Sequence, residues 1–252
     1  GEMASQVLTM LVGEGAKIDV HGCKTVDMAS SFGKALLEFT FIVMAAITLL
    51  LGINAAKSKA AGKVLFPVTF VTGISSIAYF SMASGGGWVI APDCRQLFIA
   101  RYVDWIITTP LLIICLGIVA GVDKWDIMAL CLSDVLMVAS LAAGALTVGN
   151  VKWVWWFFAI CWLLHIIFSL GKSWAESAKA KGGESSSVYS KLAGIIVISW
   201  FLYPVVWVFA EGFGNFSVTF EVLIFAILDV ISKAIFGLIL MSGANTGYEA
   251  IQ

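Results

Sequence analysis

The residues best suited to chemistry lie in the last hydrophobic segment, EVLIFAILDVISKAIFGLILM, where Lys233 follows Asp229 by four positions. This spacing places both side chains on one face of a helix. A lysine in the middle of a membrane span is costly and is therefore usually functional. A carboxylate beside a buried amine suits a positively charged adduct on that amine, such as a protonated Schiff base. The alternative is a buried ion pair that only holds helices together.

The composition predicts the surroundings of these residues. Of 252 residues, 60% are hydrophobic and 12% are charged, whereas soluble domains carry about 25% charged residues. We therefore expect an integral membrane protein. The net charge of −1 argues against a general affinity for nucleic acid.

Seven hydrophobic runs are long enough, at about 20 residues each, to cross a membrane. They cover residues 35–55, 64–86, 97–119, 125–147, 151–171, 190–211 and 218–241. The sequence thus predicts an all-α seven-transmembrane helix bundle over residues 35–242. A polar leader (1–34) precedes the bundle and a short tail (243–252) follows it.

The distribution of lysine predicts the orientation. Loops one, three and five, or their edges, contain Lys57, Lys59, Lys63, Lys124, Lys172, Lys179, Lys181 and Lys191. Loops two, four and six contain only Arg95 and Lys152. The positive-inside rule then predicts cytoplasmic odd-numbered loops, an extracellular N-terminus and a cytoplasmic C-terminus. Lysines 17, 24 and 34 in the leader weaken this contrast.

Five cysteines are present, and no CxxC pair occurs, so a zinc site is not expected. Cys23 and Cys94 fall outside the spans and, by the predicted topology, on the same side. A disulfide between them is one hypothesis, and two free thiols are the other.

The third span contains a stripe of polar residues. Arg101, Asp104, Thr108 and Cys115 follow spacings of 3, 4 and 7, which align them along one helical face. Such a line of titratable and hydroxyl groups is typical of a proton path. The simpler interpretation, that Asp104 only neutralises Arg101 near the interface, accounts for one pair but not for the whole stripe.

Three further acidic residues lie in or at the ends of spans. Asp134, midway through span four, is cheaper to bury neutral than charged, and Thr109 is its candidate hydrogen-bond partner. Glu211 and Glu221 flank the sixth loop. Two carboxyls close together can share one proton; the alternative is two solvated carboxylates.

Aromatic residues gather away from the membrane interfaces, at or near mid-span: Trp105, Trp155, Trp156, Trp200, Tyr203 and Trp207. Aromatic belts at the membrane–water interfaces do not explain aromatic residues near mid-span. The pattern favours the walls of an apolar ligand pocket, with core packing as the alternative for any single residue.

Four segments, RYVDWIITTPLL, WFLYPVVW, LDVISKAIFG and AYFSM, carry a close resemblance to the microbial (type I) rhodopsins. Within them the chain resembles the bacteriorhodopsin-like proton pumps. The resemblance implies all-trans retinal bound as a protonated Schiff base to Lys233. It also implies that Asp104 is the primary proton acceptor and counterion, and Asp229 the second counterion.

The resemblance implies roles for further residues. Arg101, Tyr79 and Tyr203 match hydrogen-bonding partners of the two counterions, and Glu211 and Glu221 match an extracellular proton-release pair. The implied retinal pocket consists of Trp105, Thr109, Leu112, Asp134, Met137, Trp156, Trp200, Tyr203, Pro204 and Ser232. The Ser232 hydroxyl, beside Lys233, is expected to shift absorption to the blue.

The departure from the family pattern is Cys115, because the pumps usually place a carboxyl there as the cytoplasmic proton donor. A thiol in an apolar site holds its proton and donates it poorly. His165, the other titratable candidate on that side, is expected to face lipid or span four. We therefore expect an outward pump whose Schiff base regains its proton slowly.

The alternatives are a sensory rhodopsin that signals through a separate transducer and, with less support, a light-gated channel. Span two lacks the row of glutamates typical of cation channelrhodopsins. The resemblance further implies a protein that is not an enzyme and that lies in a lipid bilayer, most simply the plasma membrane, as a homo-oligomer (trimer or pentamer).

Overall fold

The structure, a computed structural model, describes residues 23–57 and 59–245. The helices are α1 (Ser31–Lys57), α2 (Lys59–Ala83), α3 (Ile99–Ala120), α4 (Lys124–Ala145), α5 (Val151–Gly171), α6 (Ser173–Lys181), α7 (Gly183–Trp207), α8 (Val218–Asp229) and α9 (Phe236–Asn245). Two strands, β1 (Val89–Ile90) and β2 (Gln96–Leu97), and two π-helical segments, π1 (Val208–Gly212) and π2 (Val230–Ile235), complete the described elements. Within the described residues, seven helical spans are long and apolar enough to cross a membrane, which confirms the predicted seven-span bundle.

Several predicted span boundaries are wrong. The second span ends at Ala83 rather than at residue 86, because Gly85 adopts a positive φ of 86° and turns the chain. The predicted fifth loop is largely helical, since it forms α6 and the start of α7. Burial of Trp174 and Ala178, one turn apart, gives α6 an inner face. The first 22 residues of the predicted leader and the tail from 246 onward lie outside the described residues.

Local sequence explains how the helices begin and end. The Asp123 side chain accepts a hydrogen bond from the Trp125 N–H at 2.8 Å and so caps α4. Gly121, with a φ of 70°, ends α3 and returns its N–H to the Gly117 carbonyl at 2.8 Å. Together these residues make a short turn between spans three and four.

The bundle buries its third and seventh spans most deeply. In the most apolar 18-residue stretch of each span, 61% of the residues are buried in the third span and 56% in the seventh, against 22% in the first and fifth. The last span packs against α1, α2 and α7, which closes the ring of helices. Spans three and seven carry Asp104 and Lys233, so the most protected part of the molecule is where the charged residues lie.

One end of the bundle, here called the hairpin end, is closed by the antiparallel β1–β2 pair. The structure contains a disulfide between Cys23 and Cys94, 71 residues apart, so the disulfide hypothesis is confirmed. Beside it, Asp27 forms an isolated bridge with Arg95. The segment that leads into α1 is thereby attached to the loop between spans two and three.

Both π-helical segments coincide with candidate site residues. Glu211 lies in π1 and Lys233 in π2. A π-helical turn inserts an extra residue into a helix, and such turns occur frequently at functional sites.

Candidate functional site

Lys233 lies at the centre of the bundle with a side chain that is 1% exposed. Its Nζ forms an ion pair and hydrogen bond with Asp104 Oδ2. The same nitrogen lies 3.3 Å from Asp229 Oδ1 and donates to Ser75 Oγ at 3.0 Å. A buried ammonium is tolerated only when it is paired and hydrogen-bonded in this way.

Asp104 connects the lysine to span two. Ser75 Oγ donates to Asp104 Oδ1 at 2.8 Å while it also accepts from Lys233. Thr108, the next residue of the predicted stripe, donates to the main-chain carbonyl of Asp104 at 2.8 Å. One serine hydroxyl therefore contacts both the amine and its carboxylate.

Asp229 accepts three hydrogen bonds from aromatic residues. Tyr79 donates to Oδ2 at 2.7 Å, and Tyr203 and Trp105 donate to Oδ1 at 2.6 and 3.2 Å. These donors stabilise the charged form of the carboxylate inside the membrane. The two tyrosines are those that the resemblance assigned to the counterions.

Arg101 does not take the place that the resemblance implied. Its Nη1 pairs with Glu221 Oε1 rather than with Asp104 or Asp229. Lys233 already supplies positive charge to those two aspartates, whereas Glu221 obtains its positive charge from arginines. The assignment of Arg101 as a direct partner of the counterions is therefore corrected.

Glu221 and Glu211 are both buried, at 1% and 3% exposure, so the interpretation as two solvated carboxylates is wrong. Glu221 also accepts from Arg95 Nη2 at 2.8 Å. Glu211 instead accepts from the Tyr102 hydroxyl at 3.0 Å. The two carboxyls thus have different partners.

An apolar cavity lies next to the residues that hold Asp229. Its walls are Trp105, Thr109, Met137, Val138, Leu141, Trp200, Tyr203 and Pro204. Six of these residues were predicted for the pocket, and Val138 and Leu141 were missed. Trp105 and Tyr203 line the cavity and also bind Asp229, which connects the cavity to the charged centre.

Three of the other four predicted pocket residues, Trp156, Ser232 and Asp134, are hydrogen-bonded to these walls. Leu112 is fully buried, and the Trp156 indole N–H donates to the Pro204 carbonyl at 3.2 Å. Ser232 Oγ lies 3.2 Å from the Tyr203 hydroxyl. Thr109 donates to Asp134 Oδ2 at 2.6 Å, as the sequence predicts for this pair.

Cys115 is fully buried, and its thiol donates to the Val64 carbonyl at 3.7 Å. His165 is exposed, and its Nδ1 lies 3.0 Å from Ser133 Oγ of the fourth span. The histidine is therefore exposed and contacts span four, as expected from its position on the helix.

Three polar residues of the site were missed as functional candidates: Ser75, Arg95 and Tyr102. Ser75 precedes Tyr79 by one helical turn, so the shared helix face could have revealed it. Tyr102 follows Arg101 directly, and no periodic signal selects it. Arg95 lies in a loop, and its partners Asp27 and Glu221 are set only by the tertiary structure.

The fold and the site define a class of membrane protein: a seven-span bundle with a buried lysine, two aspartates paired with it and an apolar cavity whose walls contact one of these aspartates. The chain belongs to the bacteriorhodopsin-like protein family, whose model matches residues 32–247. It is therefore a microbial rhodopsin and a multi-pass integral membrane protein, and its family implies a retinal chromophore.

Relatives and solved structures agree with this family. Archaerhodopsin-1 from Halorubrum ezzemoulense is 35% identical over 176 residues, which cover 68% of each chain. Opsin-1 from Neurospora crassa is 33% identical over 229 residues, covering 81% of this chain and 74% of that protein. The crystal structure of the light-driven proton pump Coccomyxa subellipsoidea rhodopsin is similar with a TM-score of 0.83 and 30% identity, over 86% of this chain and 99% of that one.

Proposed function

We propose that this protein is a light-driven outward proton pump in which the return of a proton to Lys233 is slow. The observation that carries the proposal is the direct contact of the buried Lys233 Nζ with Asp104. This contact places a proton-bearing nitrogen against an acceptor carboxylate inside the membrane. The similar Coccomyxa subellipsoidea rhodopsin is described as a light-driven proton pump.

The residues around Lys233 fit a retinal chromophore. The cavity walls are aromatic and aliphatic, and two of them, Trp105 and Tyr203, also hold Asp229. An apolar polyene suits such walls, and a positively charged nitrogen suits the two carboxylates. Bound to Lys233, retinal supplies light absorption and a light-triggered change of shape.

Asp104 is proposed to accept the proton that Lys233 Nζ holds in the dark. Ser75 contacts both the nitrogen and the carboxylate, so it keeps the two groups aligned. Asp229 is proposed to stay ionised after Asp104 has taken the proton, because it accepts hydrogen bonds from Tyr79, Tyr203 and Trp105. A proton that moves along this contact travels toward the hairpin end, where Arg101, Glu221 and Glu211 lie.

The slow step is proposed to follow from Cys115. The thiol is fully buried and bonded to the Val64 carbonyl. In the part of the chain that the structure describes, the buried carboxyls are Asp104, Asp134, Glu211, Glu221 and Asp229. The Cys115 thiol is hydrogen-bonded to the Val64 carbonyl and to none of these carboxyls. The proton that returns to Lys233 would therefore come from water at the membrane surface opposite the hairpin end, or slowly from the Cys115 thiol.

The direction of pumping depends on the orientation of the chain. The lysine-rich loops favour a cytoplasmic location for the end opposite the hairpin. The Cys23–Cys94 disulfide supports an oxidising compartment at the hairpin end. Both observations support an extracellular hairpin end and an outward pump. Residues 35–242 are proposed as the retinal-binding domain, and a trimer or pentamer is proposed for the assembly.

The test is the light-induced pH change in an unbuffered suspension of cells that express the chain with retinal. Acidification that a protonophore abolishes is the expected result. Cells that express Lys233→Ala, which cannot carry the chromophore, are the matched control. A coloured pigment that cycles in light but gives no net pH change would refute the pump and support signalling through a transducer.

A further inference from the structure

The two glutamates near the hairpin end have unequal surroundings. Glu221 receives Arg101 Nη1 on Oε1, and Arg95 Nε and Nη2 on Oε2 at 3.3 and 2.8 Å. Arg95 also donates to Asp27 Oδ2 at 3.0 Å. Two carboxylates and two guanidiniums therefore form one chain of opposite charges, and all but Asp27 are buried.

Glu211 stands outside this chain. Its Oε1 accepts from the Tyr102 hydroxyl at 3.0 Å, and its buried Oε2 has no hydrogen-bond partner among the described residues. The nearby Lys152 is half-buried, and its Nζ donates to the main-chain carbonyls of Glu211 and Gly212, at 2.9 and 3.3 Å, rather than to the carboxyl.

These surroundings favour different protonation states. An anion at Glu221 is matched by two fixed guanidiniums, which charge-assisted hydrogen bonds hold in place. An anion at Glu211 would be an additional buried charge, with one oxygen lacking a donor, beside the chain of Asp27, Arg95, Glu221 and Arg101, whose charges already balance. The neutral acid at Glu211 avoids that cost.

We infer that Arg95 is a positioning residue of the proton-release path, which holds Glu221 as a permanent anion so that Glu211 alone stores the proton that is released. This inference rests on the proposed pump function. The O–H bond of the Glu211 carboxyl breaks, and the proton passes to water at the hairpin end. The Glu211 carboxylate is protonated again when Asp104 later gives up its own proton.

The Cys23–Cys94 disulfide and the main chain beside it help to hold Arg95 in place. The Asp27 N–H donates to the Cys94 carbonyl at 3.0 Å, and the Gln96 N–H donates to the Asp27 carbonyl at 2.9 Å. Both main-chain neighbours of Arg95 are therefore tied to Asp27, whose side chain binds the guanidinium. The Cys23–Cys94 bond joins the two segments.

Infrared difference spectroscopy of the full-length pigment tests which glutamate holds the proton. The C=O stretch of a protonated carboxyl disappears on proton release, and shortening the side chain shifts this band only if that side chain bears the proton. Glu211→Asp is expected to shift the band, and Glu221→Asp is expected to leave it in place. A band that shifts with Glu221→Asp instead would overturn the inference.

Arg95 is tested by the time of proton release, followed with a pH-sensitive dye after a flash. Arg95→Gln removes one positive charge near the pair, so release is expected to slow by at least about tenfold, the lower end of the effect of one nearby charge on a carboxyl. Arg95→Lys keeps the charge and is expected to restore most of the rate. Unchanged timing in a folded, coloured Arg95→Gln pigment would also overturn the inference.

The two proposals fail differently. If the unmodified pigment releases no proton to the dye, the pump function fails, and the inference that rests on it fails with it. If the unmodified pigment pumps and the band follows Glu221, only the assignment of Arg95 and Glu211 fails.

Discussion

Replacing Cys115 with aspartate should restore a fast proton donor. Cys115 lies 11 residues after Asp104 on the same helix, which is about 16 Å along the axis at about 1.5 Å per residue. This distance is too long for a proton to pass directly from the Cys115 thiol to the contact between Asp104 and Lys233. A carboxyl at this position could donate its O–H to the Val64 carbonyl, as the thiol does over 3.7 Å, and could give its proton to a short chain of water.

The size of the effect follows from what a positioned proton donor contributes. General acids accelerate proton transfer by about 10²- to 10⁴-fold, or about 3–5 kcal/mol of activation free energy. The site is fully buried, and aspartate is close to cysteine in size, so only a small repacking cost is expected. We therefore expect Cys115→Asp to return the proton to Lys233 at least about a hundredfold faster.

The assay is flash photolysis, followed at the wavelength of the state in which the Lys233 nitrogen lacks its proton. Cys115→Asn is the matched control, because it has the shape of aspartate without a proton to give. Equal acceleration by both variants would show that polarity or water entry, not a donor, limits the rate. No acceleration by Cys115→Asp would refute the account of the slow step.

Four further outcomes are expected. In the unmodified pigment, the return of the proton should slow as the pH of the medium rises and should speed up with azide, since a small weak acid can replace the missing donor; a fast, pH-independent return would contradict this. Ser232→Ala should move the absorption maximum to longer wavelength, and an unchanged maximum would count against a role of this hydroxyl in colour. Thr109→Val should destabilise the pigment by about 1–3 kcal/mol in thermal bleaching, because Asp134 loses its donor, whereas Thr109→Ser should not. The pair Cys23→Ser and Cys94→Ser should lower thermal stability by at most about 4.4 kcal/mol, the chain-entropy limit for a 71-residue separation, while Cys161→Ser, at an exposed free cysteine, should have no such effect.

The sequence alone determined the class of fold and the centre of the site. Seven apolar segments must form helices in a bilayer, because every backbone polar group there needs an internal partner. A charged residue inside such a segment must find a counter-charge, so the Asp229–Lys233 spacing and the stripe through Asp104 already indicated a buried ionic centre. Thr109 and Asp134 could be paired because a buried neutral carboxyl needs a hydrogen-bond partner.

The tertiary structure decided the contacts that join segments far apart in the chain. Arg101 carries a long, flexible side chain that can reach several carboxylates, and only the packing of spans three and seven places it on Glu221. The helical fifth loop was missed because α6 is polar on most of its surface and is stabilised by burial of Trp174, not by hydrophobic periodicity. Ser75 lies beside Lys233, 158 positions away in sequence.

The same division holds at the hairpin end. The sequence contained two cysteines on one side of the membrane and could not choose between a bond and two free thiols. The folded chain joins them and sets Arg95 between Asp27 and Glu221. Periodicity within a helix fixes which residues share a face, but the distances between faces depend on how the helices pack, and that information lies in the three-dimensional structure.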